Sequence, residues 1–184
     1  MMLKHFNPVK FQQSFHPSVS ETGVFTPYCP SQLGRQTMEL KDEIVAGLKE
    51  QHYDLTGERV ICASADGHSY GLLLIDSVLT ELHATVVNGG VDMEPATLLD
   101  LADEEDIHHI CISTHCGQCL TYAQNLRQLA VERGRQYRIT MGGMFTALLP
   151  GNKLPVDVQD HILETGVFAN NNLKEQIQFL FGRA

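Results

Sequence analysis

Arg59-Val60-Ile61-Cys62-Ala63-Ser64-Ala65-Asp66-Gly67-His68-Ser69-Tyr70-Gly71 is the stretch that decides how this chain is read. Val60-Ile61-Cys62-Ala63 is a short apolar run with the character of a buried strand. The run then breaks at a carboxylate, a histidine and two glycines. Beyond them Leu72, Ile75, Leu79 and Leu82 recur at helical spacing and form one apolar stripe. A strand, a polar turn and a helix follow one another without a spacer.

The same alternation continues outward from this unit. Strands are expected at 85–87, 107–113, 137–141 and 167–168, with His108 and His109 alternating across the third. Helices are expected at 95–103, with Pro95 in its first turn, at 120–132, stopped by Gly134, at 157–164 and at 173–180. Strands separated by helices imply βαβ units and a parallel sheet covered on both faces. The fold class is therefore α/β, with five parallel strands.

Toward the N-terminus the pattern changes. Residues 1–35 are irregular, interrupted by Pro8, Pro17, Pro27 and Pro30, and read as an arm. Leu33, Met38, Leu40, Ile44, Val45 and Leu48 place a helix over 32–51. The chain divides into 1–55, arm and helix, and 56–184, the α/β domain.

Composition narrows the function classes. Across 184 residues, 43% are hydrophobic and 19% charged, which supports a core and excludes wholesale disorder. Thirteen Lys and Arg against 22 Asp and Glu give a net charge of −9, with no basic stripe to follow a phosphate backbone. No nucleic acid is expected as a partner. No apolar run approaches the roughly 18 residues of a membrane span, and residues 1–15 carry no apolar signal core. Five cysteines, an odd number mostly in apolar surroundings, fit a reducing interior. A cytoplasmic protein is expected.

Parallel α/β sheets bind ligands outside the carboxyl ends of their strands. Four loops fall there: 65–71, 88–90, 113–119 and 142–144. The first offers Gly67 and Gly71 but no lysine, so neither a phosphate loop nor a dinucleotide fingerprint is present. Asp66 two residues before His68 is more informative. A carboxylate in a turn can accept from one ring nitrogen, fix the tautomer and leave the other nitrogen as a metal ligand. The same pair can also serve only to cap a turn.

Asp66-Gly67-His68-Ser69-Tyr70-Gly71 resembles the D-x-H-x-x-G signature of cobalamin-binding domains. Ser113-Thr114 and Gly142-Gly143 stand where that family ends its third and fourth strands, and Val87-Asn88-Gly89-Gly90-Val91 resembles its second-strand exit. The likeness runs from Arg59 to Met144. Within the family, Ser113-Thr114-His115-Cys116-Gly117-Gln118 is most similar to the loop of the small subunit of glutamate mutase. The resemblance implies a flavodoxin-like fold with cobalamin as cofactor, adenosylcobalamin ahead of methylcobalamin. It implies that the cofactor's own base leaves cobalt and enters a slot lined by Ser113 and Gly142-Gly143. His68 then becomes the metal ligand, tuned by Asp66. Gly67, Ser69, Gly71, Thr114, His115, Gly117, Gln118 and Met144 complete the implied binding set. It also implies a larger barrel-type catalytic subunit as partner, with the N-terminal segment as a route to self-association. A corrinoid carrier for methyl transfer, or a sensor, is the alternative.

Two departures from the family stand out. His115 replaces a common leucine, and 167–171 carries no glycine after Gly166. A third reading rests on Cys116-Gly117-Gln118-Cys119 at a helix start, which resembles a dithiol redox loop.

Overall fold

The computed structural model describes residues 32–182. The arm expected over 1–35 lies almost wholly outside them. The first described element is helix α1, Gln32–Glu50. Then come β1, Arg59–Ser64; α2, Tyr70–Glu81; β2, Thr85–Gly90; α3, Pro95–Glu104; β3, His109–Thr114; and α4, Cys119–Glu132. The chain continues through β4, Arg138–Gly143; β5, Thr146–Ala147; β6, Val156–Asp157; α5, Gln159–Glu164; β7, Phe168–Ala169; and α6, Leu173–Phe181.

The main sheet has five parallel strands in the order β2-β1-β3-β4-β7. This is the flavodoxin-like order, and its direction of winding reverses between β1 and β3. Alternation along each strand sends side chains to two helical layers. Ile61, Ala63, Ile110, Ile112, Ile139 and Met141 pack under α3, α4 and α5 with Leu98, Ala123, Leu126 and Ile162. Val60, Cys62 and Cys111 pack under α1, α2 and α6 with Leu48, Leu79 and Ile177. Helix α1 thus completes the second layer.

The expected elements are present, with ends shifted by a few residues. The exception is a two-stranded antiparallel sheet, β5 with β6, inserted after β4. It takes the start of the helix expected at 157–164, so α5 begins at Gln159, where Asp157 Oδ1 accepts from the Gln159 N–H at 2.8 Å. No helix among the described residues is long and apolar enough to cross a membrane.

Candidate functional site

Strand β1 ends in Ser64, and its hydroxyl fastens the loop that follows. Ser64 Oγ donates to the His68 carbonyl at 3.0 Å, and the Asp66 N–H donates back to Ser64 Oγ at 3.4 Å. This curls Asp66 inward, where it is buried. The carboxylate sits at the β1–β3 switch point and divides its oxygens. Oδ1 accepts from the His68 N–H at 3.0 Å and lies 2.8 Å from His68 Nδ1. Oδ2 accepts from the His115 N–H at 2.5 Å, across from the end of β3. Burial works to raise the pKa of Asp66. Donation from His115, His68 and the Cys116 thiol outweighs it and holds the carboxyl below its ordinary value.

The His68 side chain is 63% exposed while that of Asp66 is 9% exposed. With an ionised carboxylate on Nδ1, that nitrogen carries the proton and Nε2 keeps its lone pair. An exposed imidazole with a fixed tautomer on a rim is suited to metal ligation. His115 stands beside it, ring centroids 4.9 Å apart at 48°. The residue that departs from the family pattern therefore flanks His68 instead of filling the layer beneath.

Ser113 and Thr114 part company. As consecutive strand residues they point to opposite faces. Ser113 pairs with Ser64 on one side and Gly142 on the other, and Gly71 comes so close that a Cβ there would strike the Ser113 hydroxyl. Gly71, Ser113 and Gly142 are thus brought together on the α2–α6 face. Thr114 falls on the opposite face, where its buried hydroxyl has no hydrogen-bond partner. Gly143, at φ 122°, lets the chain turn against the Thr114 carbonyl, which a Cβ would meet head-on.

The missing glycine after β7 has a replacement. Asn171 Oδ1 accepts from the Gly143 N–H at 2.9 Å, and Asn172 caps α6 by accepting from the Lys174 N–H at 3.1 Å. Side-chain amides supply the turn's hydrogen bonds. Gln118 lies elsewhere, in a cavity of about 220 Å³ with Asp92, Glu94 and Tyr122 on the α3–α4 side. Met144 lines an open cleft with His115, Gly143 and Asn171. Ser64 and the asparagine turn were missed from sequence. The signal for Ser64 is a polar residue closing an apolar strand.

The two thiols of the Cys116–Cys119 loop lie in different surroundings. Cys119 is buried, its Sγ donates to the Thr146 carbonyl at 3.7 Å, and burial pushes its pKa up. Cys116, half-buried, serves Asp66.

The residues fit a corrinoid. A histidine oriented by a buried carboxylate is exposed on the rim, and on one face Gly71 and Gly142 admit the Ser113 hydroxyl and the Gln176 amide where any Cβ would collide. The protein comparisons agree. A fold match links the chain to a cobalamin-binding protein from Desulfitobacterium hafniense, with TM-score 0.58 and 12% identity over 82% of this chain and 70% of that one. Another links it to the methanol:cobalamin methyltransferase complex MtaBC from Methanosarcina barkeri, with TM-score 0.53 and 16% identity over 76% of this chain and 53% of that one. At these identities the likeness is one of fold. No curated protein matches the chain. The model of the B12 binding domain, however, matches residues 59–169, from the first residue of β1 to the last of β7. Carrying that domain over more than half its length, the chain belongs to the B12-binding domain family.

Proposed function

We propose that this chain is the cofactor-carrying component of a two-protein, adenosylcobalamin-dependent mutase, with His68 as the lower ligand of cobalt. The observation that carries this reading is the clamp at the switch point, where one buried carboxylate orients His68 and ties it to β3. A bound adenosylcobalamin would supply a weak cobalt–carbon bond, the source of radical chemistry. The chain's own residues hold and orient. Asp66 keeps the proton on Nδ1 and leaves the Nε2 lone pair to face cobalt. Gly71, Ser113 and Gly142, small residues on the α2–α6 face, would border the displaced base.

In this reading a small acid is seated, and water kept from it, at the contact between the rim and a second protein. A barrel-type partner subunit covers that side in this reading. Tyr70, Val91 and Met144, all exposed apolar residues following strand ends, are where it would rest. In this reading the segment before α1 serves assembly, including self-association, while α1, whose Val45 and Leu48 are buried with Leu79 and Ile177, belongs with 56–184 in the cofactor-binding domain.

Paramagnetic resonance of the cob(II)alamin-loaded chain tests the ligation. Labelling histidine with ¹⁵N should change the nitrogen splitting, and His68→Ala should abolish that change. Splitting that follows label in the cofactor's own base would sink the reading. The chain loaded with adenosylcobalamin should show no mutase turnover alone. Recovery of a methyltransferase instead of a mutase as its partner would favour the carrier reading.

A further inference from the structure

Asp66 holds two histidines at once. Its Oδ1 lies 2.8 Å from His68 Nδ1, and its Oδ2 accepts from the His115 backbone N–H at 2.5 Å. Joined through one buried carboxylate, the two residues bring their rings together, with centroids 4.9 Å apart and planes tilted by 48°. The His68 side chain is otherwise open to solvent over much of its surface, at 63% exposure.

A hydrogen bond at Nδ1 fixes one corner of the ring and not its plane. Rotation about the outer side-chain bond of histidine is broad, and hydrogen bonds weaken steeply only below about 120°. The imidazole can therefore pivot on Asp66 while Nε2, at the outer end of the ring, sweeps across the rim. A metal ligand has to aim its lone pair, so a second contact must remove that freedom. His83 supplies the contrast within the same chain. Its side chain is also 63% exposed and its Nδ1 lies 3.2 Å from Asp54 Oδ1, yet among the described residues no ring stands against it. Carboxylate pairing is common to the two histidines, and the neighbouring ring is particular to the one on the rim.

We propose that His115 is a positioning residue, its ring set against that of His68 to fix the plane of the imidazole that Asp66 alone leaves free to pivot. The inference rests on the reading that His68 is the lower ligand of cobalt. His115 contributes the attraction of tilted rings at this separation, and its ring nitrogens play no part. Its backbone N–H serves Asp66 whatever side chain stands at this position.

The full chain should be compared as wild type, His115→Leu and His115→Phe. Leucine is of similar size without a ring, and phenylalanine keeps a ring without nitrogens. In the cofactor-free chain labelled with ¹³C-histidine, relaxation of the ring signal that is missing from His68→Ala reports the motion of His68. That ring should be restrained in wild type and His115→Phe, and as mobile as the His83 ring in His115→Leu. In the cob(II)alamin-loaded chain, the paramagnetic splitting that responds to ¹⁵N-histidine should be sharp in the first two and broadened in His115→Leu. Cobalamin affinity should fall about fivefold in His115→Leu, the scale of one aromatic pair. Histidine splitting that stays equally sharp in His115→Leu overturns the role of His115 and leaves the ligation standing. Equal loss in His115→Leu and His115→Phe also overturns it, since the nitrogens would then be what matters. Wild type without histidine splitting overturns the ligation reading and this inference with it. Should a variant fail to fold, wild type decides alone: a His68 ring as mobile as that of His83 ends the proposal.

Discussion

The two faces of the sheet are built to different sizes at the same level. Toward the carboxyl ends, the face under α3 and α4 carries Ala63, Ile112 and Met141. The face under α2 and α6 carries Ser64, Cys111, Ser113, Thr140 and Gly142. The strands are the same, so the backbone cannot account for the contrast. One face is a conventional apolar core, in which large side chains interdigitate at high density. The other gives up apolar contact for small polar groups and close helix approach. On the proposed function, stability and binding fall on opposite sides of one sheet.

That assignment is open to direct attack. The largest effect should come from the large face. Ile112→Ala removes a fully buried side chain and should cost about 3 kcal/mol of stability, read by urea unfolding, while the folded fraction keeps its cobalamin affinity. Equal loss of affinity would show that the faces are not separate.

Next comes the clamp that joins the rim to the small face. Asp66→Asn keeps the shape but weakens acceptance from the donors of His68, His115 and Cys116, and cobalamin affinity should fall by about 10- to 100-fold. The cob(II)alamin resonance should also show disordered histidine coupling. Unchanged affinity would mean that His68 needs no orienting partner.

The smallest effect belongs to the small face itself. Cys111→Ala should cost about 1 kcal/mol near neutrality, because little volume is lost. Its signature is in pH. Burial pushes the Cys111 thiol up from 9.0 to about 11. The fold therefore keeps the thiol neutral while the unfolded chain ionises. That contribution is intact below pH 9 and is lost as pH rises toward 11. The variant should show a shallower alkaline loss of stability, measured by thermal melts from pH 8 to 11. A parallel curve would refute the assignment.

Sequence and structure agree most where hydrophobic period and turn chemistry coincide. The strands β1 to β4 and their helices were legible because each apolar run ends in a polar or glycine-bearing loop. The Asp66–His68 pair was legible because the two residues are near neighbours in sequence. The β5–β6 sheet was not, since its strands are two residues long and Leu148 and Leu154 around it are exposed. No alternation can register over two residues. Ser113 and Thr114 were read together as one binding pair, although strand alternation already separates them. Gln176 was passed over because a polar residue in a helix reads as surface. Its place three residues after Leu173 and one before Ile177 is the signal that puts it on the buried stripe.

The Asp66–His115 hydrogen bond spans 49 positions of chain. Its existence requires β1 and β3 to have found each other in parallel, and that means closing a loop containing β2, two helices and their connections. Such non-local pairing is the slow part of assembling an α/β domain, because the entropy of closure is lost before any contact repays it. The histidine is thus aimed only once β1 and β3 lie side by side. Local sequence supplies the ligand, and its direction is set by topology.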